Sequence, residues 1–71
     1  MDYRENIDGR IALHLFKTGK TQEQLANEIG LKTGEALSMK RSGKTDFKLS
    51  EAVKLAKIMG ISIDELINDP V

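Results

Sequence analysis

Basic side chains concentrate in the middle of the sequence. Residues 32–48 contain five of them, Lys32, Lys40, Arg41, Lys44 and Lys48, against two acidic residues. Ammonium and guanidinium groups pair with phosphate oxygens whatever the base sequence beside them. The formal net charge of the chain is nevertheless zero, which is unusual for a protein that binds only nucleic acid. The cluster therefore predicts either a phosphate-contacting surface or an ordinary solvated face.

The residue types that carry catalysis are scarce. There is no cysteine, and His14 is the single histidine. Thiolate chemistry and a finger-type zinc site are thus excluded, and no histidine–carboxylate cluster is present. We expect no enzyme activity, no cofactor and no metal, with His14 a structural residue at or near the surface.

Location follows from composition as an expectation. The absence of cysteine fits a reducing cytoplasm. No apolar run approaches the ~20 residues needed to span a bilayer, and the polar N-terminus does not resemble a signal peptide. A cytoplasmic protein without membrane contact is predicted.

A chain of 71 residues predicts a single domain, residues 1–71. Glycines at 19, 30, 43 and 60 divide the sequence, and apolar residues between them recur at helical spacing. No segment alternates like a strand, so the fold is predicted to be all-α. The predicted helices are Tyr3–Lys17, 22–29 after Thr21, Thr33–Ser42, Lys48–Met59 and Ile63–Asn68.

Helix starts and the buried faces can also be predicted. Thr21 with Gln24, and Ser62 with Glu65, have the spacing of capping boxes, and Asp46 is a candidate cap for the fourth helix. Side chains expected to face the core include Phe16, Met39 and Leu49. The direction of Leu37, inward or outward, stays open.

Two stretches carry a family resemblance. "TQEQLANEIGL" at 21–31 and "KLSEAVKLAKIMGISIDELI" at 48–67 resemble the Cro/repressor-type (XRE-like) helix-turn-helix family of phage and bacterial regulators. The resemblance implies a compact five-helix, lambda-repressor-like domain with its helix-turn-helix at about 21–42. In that family the third helix enters the major groove of DNA. Gly30 and Gly43 are 13 positions apart, one more than the commonest family spacing.

The resemblance also implies which residues contact the ligand. Gln22 matches a phosphate-contacting position, the first turn of the third helix faces base edges, and the basic residues after it grip the DNA backbone. The predicted DNA- or partner-binding residues are Gln22, Lys32, Thr33, Gly34, Glu35, Leu37, Ser38, Arg41, Lys44 and Lys48.

Two functions remain open. The first is a Cro-like phage transcriptional regulator that binds operator DNA in the lysis–lysogeny switch, as a homodimer through the C-terminal helix. The second is an antirepressor or modulator that binds the co-encoded phage repressor, as in the modulator-of-repression proteins of lactococcal temperate phages, which this chain resembles. Zero net charge, Gly34, Glu35 and an outward Leu37 would favour the second. The C-terminal apolar residues form either the dimer surface or part of the monomer core: Ile63, Leu66, Ile67 and Val71.

Overall fold

The computed structural model describes residues 3–68, which form five helices and no strand. The predicted all-α, five-helix architecture is confirmed, and the predicted helix ends agree with the observed ones to within one residue. The helices are α1 (Tyr3–Thr18), α2 (Gln22–Glu28), α3 (Gly34–Arg41), α4 (Leu49–Met59) and α5 (Ile63–Asn68). Within residues 3–68, no helix is both long enough and apolar enough to cross a membrane.

Both predicted capping boxes are present. The Thr21 hydroxyl accepts a hydrogen bond from the Gln24 amide at 3.1 Å, and the Gln24 side chain accepts one from the Thr21 amide at 2.8 Å. At α5 the Ser62 hydroxyl accepts from the Glu65 amide at 3.1 Å, and the Glu65 carboxylate accepts from the Ser62 amide at 3.3 Å. These bonds satisfy backbone donors that the first helical turn leaves unpaired.

The cap predicted for α4 is wrong. Lys48, not Asp46, is the N-cap residue, and the Glu51 carboxylate accepts a hydrogen bond from the Lys48 amide at 2.8 Å. Only one of the two hydrogen bonds of a capping box forms here, because a lysine side chain cannot accept a hydrogen bond from the backbone.

The turn between α2 and α3 depends on glycine. Gly30 has φ +90°, a left-handed conformation that disfavours any residue with a Cβ atom. This turn lets the Leu31 amide reach back to the Ala26 carbonyl at 2.9 Å. The chain therefore leaves α2 sharply and enters α3 at a fixed angle.

The core draws on all five helices. Its large, fully buried side chains are Ile7, Ile11, Leu25, Ile29, Leu37, Leu55 and Leu66. Leu66 closes the core from α5, so this part of the C-terminal apolar patch belongs to the monomer. Val71, assigned to the same patch, lies outside the described residues.

Four large side chains that the helical spacing placed on the core face are exposed instead: Phe16 (86%), Leu49 (74%), Tyr3 (42%) and Met39 (38%). Phe16 follows buried Ile11 by five positions, which rotates it about 140° from the core face. Leu49 precedes Glu51 by two positions, and Glu51 turns inward, so Leu49 points outward. Met39 follows buried Leu37 by two positions and is rotated away in the same manner.

Candidate nucleic-acid interface

The start of α3 lies directly against the start of α2. A Cβ atom added at Gly34 would stand 3.3 Å from the Cα and the backbone nitrogen of Glu23. The Gln22 side-chain amide also donates a hydrogen bond to the Gly34 carbonyl at 3.1 Å. Gly34 is half-buried, and this close approach of the two helices explains why a glycine stands at this position.

The outer face of α3 carries polar side chains. Lys32, Thr33, Glu35 and Ser38 are all exposed, and together they form the surface that α3 presents to solvent. None of them is drawn into the core. Glu35 has no ion-pair partner within residues 3–68, and the nearby Lys40 pairs with Glu51 instead.

Leu37 was predicted to contact DNA or a partner, and this prediction is wrong. Its side chain is completely buried and belongs to the core cluster. Leu37 is the one fully buried apolar side chain of α3, because Ala36 is only half-buried and Met39 is exposed. An apolar contact surface centred on Leu37 is therefore absent.

Thr33 is the N-cap of α3. Its hydroxyl oxygen accepts a hydrogen bond from the Ala36 amide at 3.2 Å. A threonine hydroxyl has one donor as well as its acceptor positions, so the O–H can still donate to a phosphate or a base edge. Capping and ligand contact are compatible at this position.

Arg41 and Gln22 are joined in one network. The Arg41 Nε donates to the Asp8 carboxylate at 2.5 Å, and Arg41 Nη1 donates to the Gln22 side-chain oxygen at 2.8 Å. The network links α1, α2 and α3. The sequence predicted phosphate contact for Gln22 and Arg41. It did not indicate Asp8, because Asp8 lies 33 positions before Arg41 and no local pattern links the two. Asp8 offsets much of the charge that Arg41 would offer to a phosphate.

Lys40 is withdrawn from the surface by a second ion pair. Its ammonium group lies 2.9 Å from the Glu51 carboxylate and donates to the Asp46 carbonyl at 2.8 Å. Burial alone would raise the pKa of Glu51, but the Lys48 amide and the Lys40 ammonium outweigh it and hold that pKa below its usual value. The pair ties the end of α3 to the start of α4.

The segment between α3 and α4 is held at both sides. Arg4 of α1 donates to the Gly43 carbonyl at 3.5 Å and lies 3.7 Å from the Asp46 carboxylate. The Lys44 amide donates to the Met39 carbonyl at 3.0 Å. Lys44 and Lys48 remain exposed, and neither forms an ion pair within residues 3–68. The structure thus fixes the backbone of this segment while leaving two ammonium groups accessible.

The side chains that commonly ligate metals are scattered in the part of the chain that the structure describes. No three residues of the types His, Cys, Asp and Glu cluster as a metal site within 3–68. His14 is half-buried, and burial lowers its pKa; the Lys20 cation lowers it further, against a smaller effect of Glu28.

The comparison with protein families identifies the domain. A model of the helix-turn-helix family matches residues 17–66, which include all of α2, α3 and α4. A comparison with curated proteins gave no match. The matched region is the one in which α2, the Gly30 turn and the exposed face of α3 form the geometry described above. The chain belongs to the helix-turn-helix family of XRE type, a family of DNA-binding transcription regulators.

Proposed function

We propose that the chain is a Cro-like phage transcriptional regulator that binds operator DNA through α3 in a lysis–lysogeny switch. One observation carries the proposal: α3 has an exposed polar face, and the segments just before and just after it carry three exposed lysines, Lys32, Lys44 and Lys48. An α-helix with its side chains is about 10–12 Å across, which fits a major groove about 12 Å wide. The surface around α3 therefore matches the major groove in width and the DNA phosphates in charge.

The exposed polar residues at the start of α3 and on its outer face have roles in the proposed complex. The Thr33 and Ser38 hydroxyls contact base edges, where they can donate or accept. Glu35 accepts from the amino group of cytosine, the one base donor that suits a carboxylate in the major groove. The lysines bind phosphates and set the register of the domain on the duplex.

Affinity of one domain is expected to be modest. Three phosphate contacts give a slope of about −2.7 in a plot of log K against log salt concentration. A dimer doubles the slope and places two copies of α3 about one helical turn of DNA apart. If α5 forms the dimer surface, as we propose, it does so with Ile63 and Ile67, because Leu66 is buried in the monomer.

A second function is favoured by charge. Arg41 is paired with Asp8, Lys40 with Glu51, and Glu35 stays exposed, so the surface around α3 is less cationic than the sequence suggests. In this alternative the chain is an antirepressor or modulator that binds the co-encoded repressor.

Apolar exposure near this surface agrees with a protein partner. Met39 and Leu49 are both exposed, one on α3 and one at the start of α4. They replace the buried Leu37 as the apolar side chains that a repressor could cover.

The two functions separate in one experiment. The purified chain is titrated into a fluorescent duplex from the promoter region beside its own gene, with and without the co-encoded repressor. Binding by the chain alone, weakening steeply as salt rises, supports the regulator. A complex that forms only with repressor present supports the modulator, and an unrelated duplex of equal length is the control. The operator-binding proposal is rejected if the chain binds the promoter duplex no better than the unrelated duplex, both without and with the repressor.

A further inference from the structure

A second charged surface lies on α1, away from α3. It is a cleft between the C-terminal half of α1 and the turn from α4 to α5, called here the α1 cleft. Arg4 and Asp8, which reach the α3 side of the molecule, point from the opposite flank of α1. The α1 cleft is lined by Arg10, Leu13, His14, Lys17, Met59 and Ile61.

The polar side chains that line the α1 cleft within residues 3–68 are those of Arg10, His14 and Lys17. Within residues 3–68, the side chains of Arg10, His14 and Lys17 form no hydrogen bond and no ion pair. Arg10 Nε and His14 Nε2 are buried and unpartnered. A buried polar atom without a partner is costly, so these two atoms favour a water, an ion or a ligand group that can pair with them. Among residues 3–68, no acidic side chain lines the cleft to compensate these groups.

The rest of the lining is apolar. Leu13, Met59 and Ile61 are half-buried at the cleft, so part of each side chain is accessible. Phe16 is 86% exposed and lies three positions after Leu13, on the same side of α1. A free inorganic anion would use the basic groups alone. A ligand that uses the whole surface needs carboxylates and aliphatic side chains together.

We propose that the α1 cleft binds an acidic, amphipathic helix of a partner protein. Carboxylates of that helix pair with Arg10 and Lys17, and its aliphatic side chains pack on Leu13, Ile61 and Phe16. Charge complementarity selects this occupant, because the described part of the cleft lining contains Arg10, His14 and Lys17 and no acidic residue. A nucleic-acid backbone would leave the apolar half of the cleft uncovered. The site is independent of the α3 surface.

His14 provides a reporter of occupancy. Its pKa is lowered by burial and then by Lys20, with Glu28 acting in the other direction. A carboxylate that enters the cleft stabilises the imidazolium form, so it raises the pKa of His14. The Lys20–Glu28 ion pair, with Lys20 Nζ 2.9 Å from Glu28 Oε2, stays in place and contributes equally in both states.

The test uses the full chain and a synthetic helix with leucines on one face and glutamates beside them. Calorimetry measures binding, and NMR of the imidazole protons measures the pKa of His14. We expect binding, a raised His14 pKa, and about tenfold weaker binding for Arg10→Gln, since a charge-assisted hydrogen bond is lost. Arg10→Lys keeps a cation and should retain most of the binding. Lys57→Gln, which removes an exposed lysine of α4 outside the cleft, should bind as the parent does.

Three results would each overturn the proposal. One is equal binding of a control helix in which glutamines replace the glutamates. Another is an Arg10→Gln variant that has the parent's circular dichroism and binds as tightly as the parent. The third is displacement of the peptide by duplex DNA, which would make the α1 cleft a nucleic-acid surface.

Discussion

Replacing Lys40 by methionine tests the most deeply buried ion pair within residues 3–68. The Lys40 and Glu51 side chains are 11% and 8% exposed, with 2.9 Å between nitrogen and oxygen. At an effective dielectric constant near 20 their attraction is roughly 6 kcal/mol, most of which offsets the cost of removing both charges from water. Removing one partner leaves a buried charge and costs about 3–5 kcal/mol. That is a large part of the ~4–11 kcal/mol expected for a domain of this length.

The loss should depend on pH with a predictable sign. The pKa of Glu51 is depressed in the folded protein, so its contribution to stability is present above the unfolded-state pKa and is lost as pH falls through the folded-state pKa. Without Lys40, burial raises the pKa of Glu51, and only the Lys48 amide and the Lys48 cation still lower it. The Lys40→Met variant should therefore be closest to the parent in acid, where Glu51 is protonated.

Urea unfolding, followed by far-ultraviolet circular dichroism, measures both effects when it is carried out at neutral pH and in acid well below the usual pKa of a glutamate. Lys57→Met is the matched control, since Lys57 is an exposed lysine on α4. The double variant Lys40→Met/Glu51→Leu should recover most of the stability, less about 1 kcal/mol for the lost α4 cap. The reasoning is refuted if Lys40→Met and Lys57→Met unfold at the same urea concentration, or if the loss is unchanged in acid.

Three further predictions concern α3. Leu37→Ala should cost about 2–5 kcal/mol in urea unfolding because it empties a fully buried site, whereas Met39→Ala should cost well under 1 kcal/mol; equal losses would contradict the burial of Leu37. Thr33→Asp should keep the α3 cap, and hence the unfolding midpoint, while weakening duplex binding through its negative charge; Thr33→Ala should instead lose about 1 kcal/mol of stability. Asp8→Asn should free the charge of Arg41 for a phosphate contact and steepen the plot of log K against log salt concentration for duplex binding by about 0.9. An unchanged slope in a folded variant would contradict this.

Much of the fold could be predicted because its signals are local. Capping pairs such as Thr21 with Gln24 act over three positions, and the glycine at 30 needs only its own backbone conformation. Helical periodicity located all five helices. The inward face of α3 was harder to predict, because the helix has only eight residues, one of them a glycine. The direction of the Leu37 side chain therefore stayed ambiguous until the packing of the helices fixed it.

The site was less predictable because its charges are paired across distant parts of the chain. Arg41 reads as a free cation in the sequence, yet its partner Asp8 is on α1. Lys40 similarly meets Glu51 only after α3 and α4 pack. Three of the five basic residues of the central cluster are consequently left as accessible cations, Lys32, Lys44 and Lys48. That reduction could not be predicted from charge counts.

The most direct test of the central claim is an amide NMR titration of the whole chain with the promoter duplex at low salt. The proposed interface predicts that the shifted amides concentrate at residues 32–38 and at Lys44 and Lys48. It also predicts that the shifts disappear as salt is raised. Shifts confined to the α1 cleft, or no shifts in the presence of the duplex, would contradict the assignment of α3 as the DNA-contacting helix.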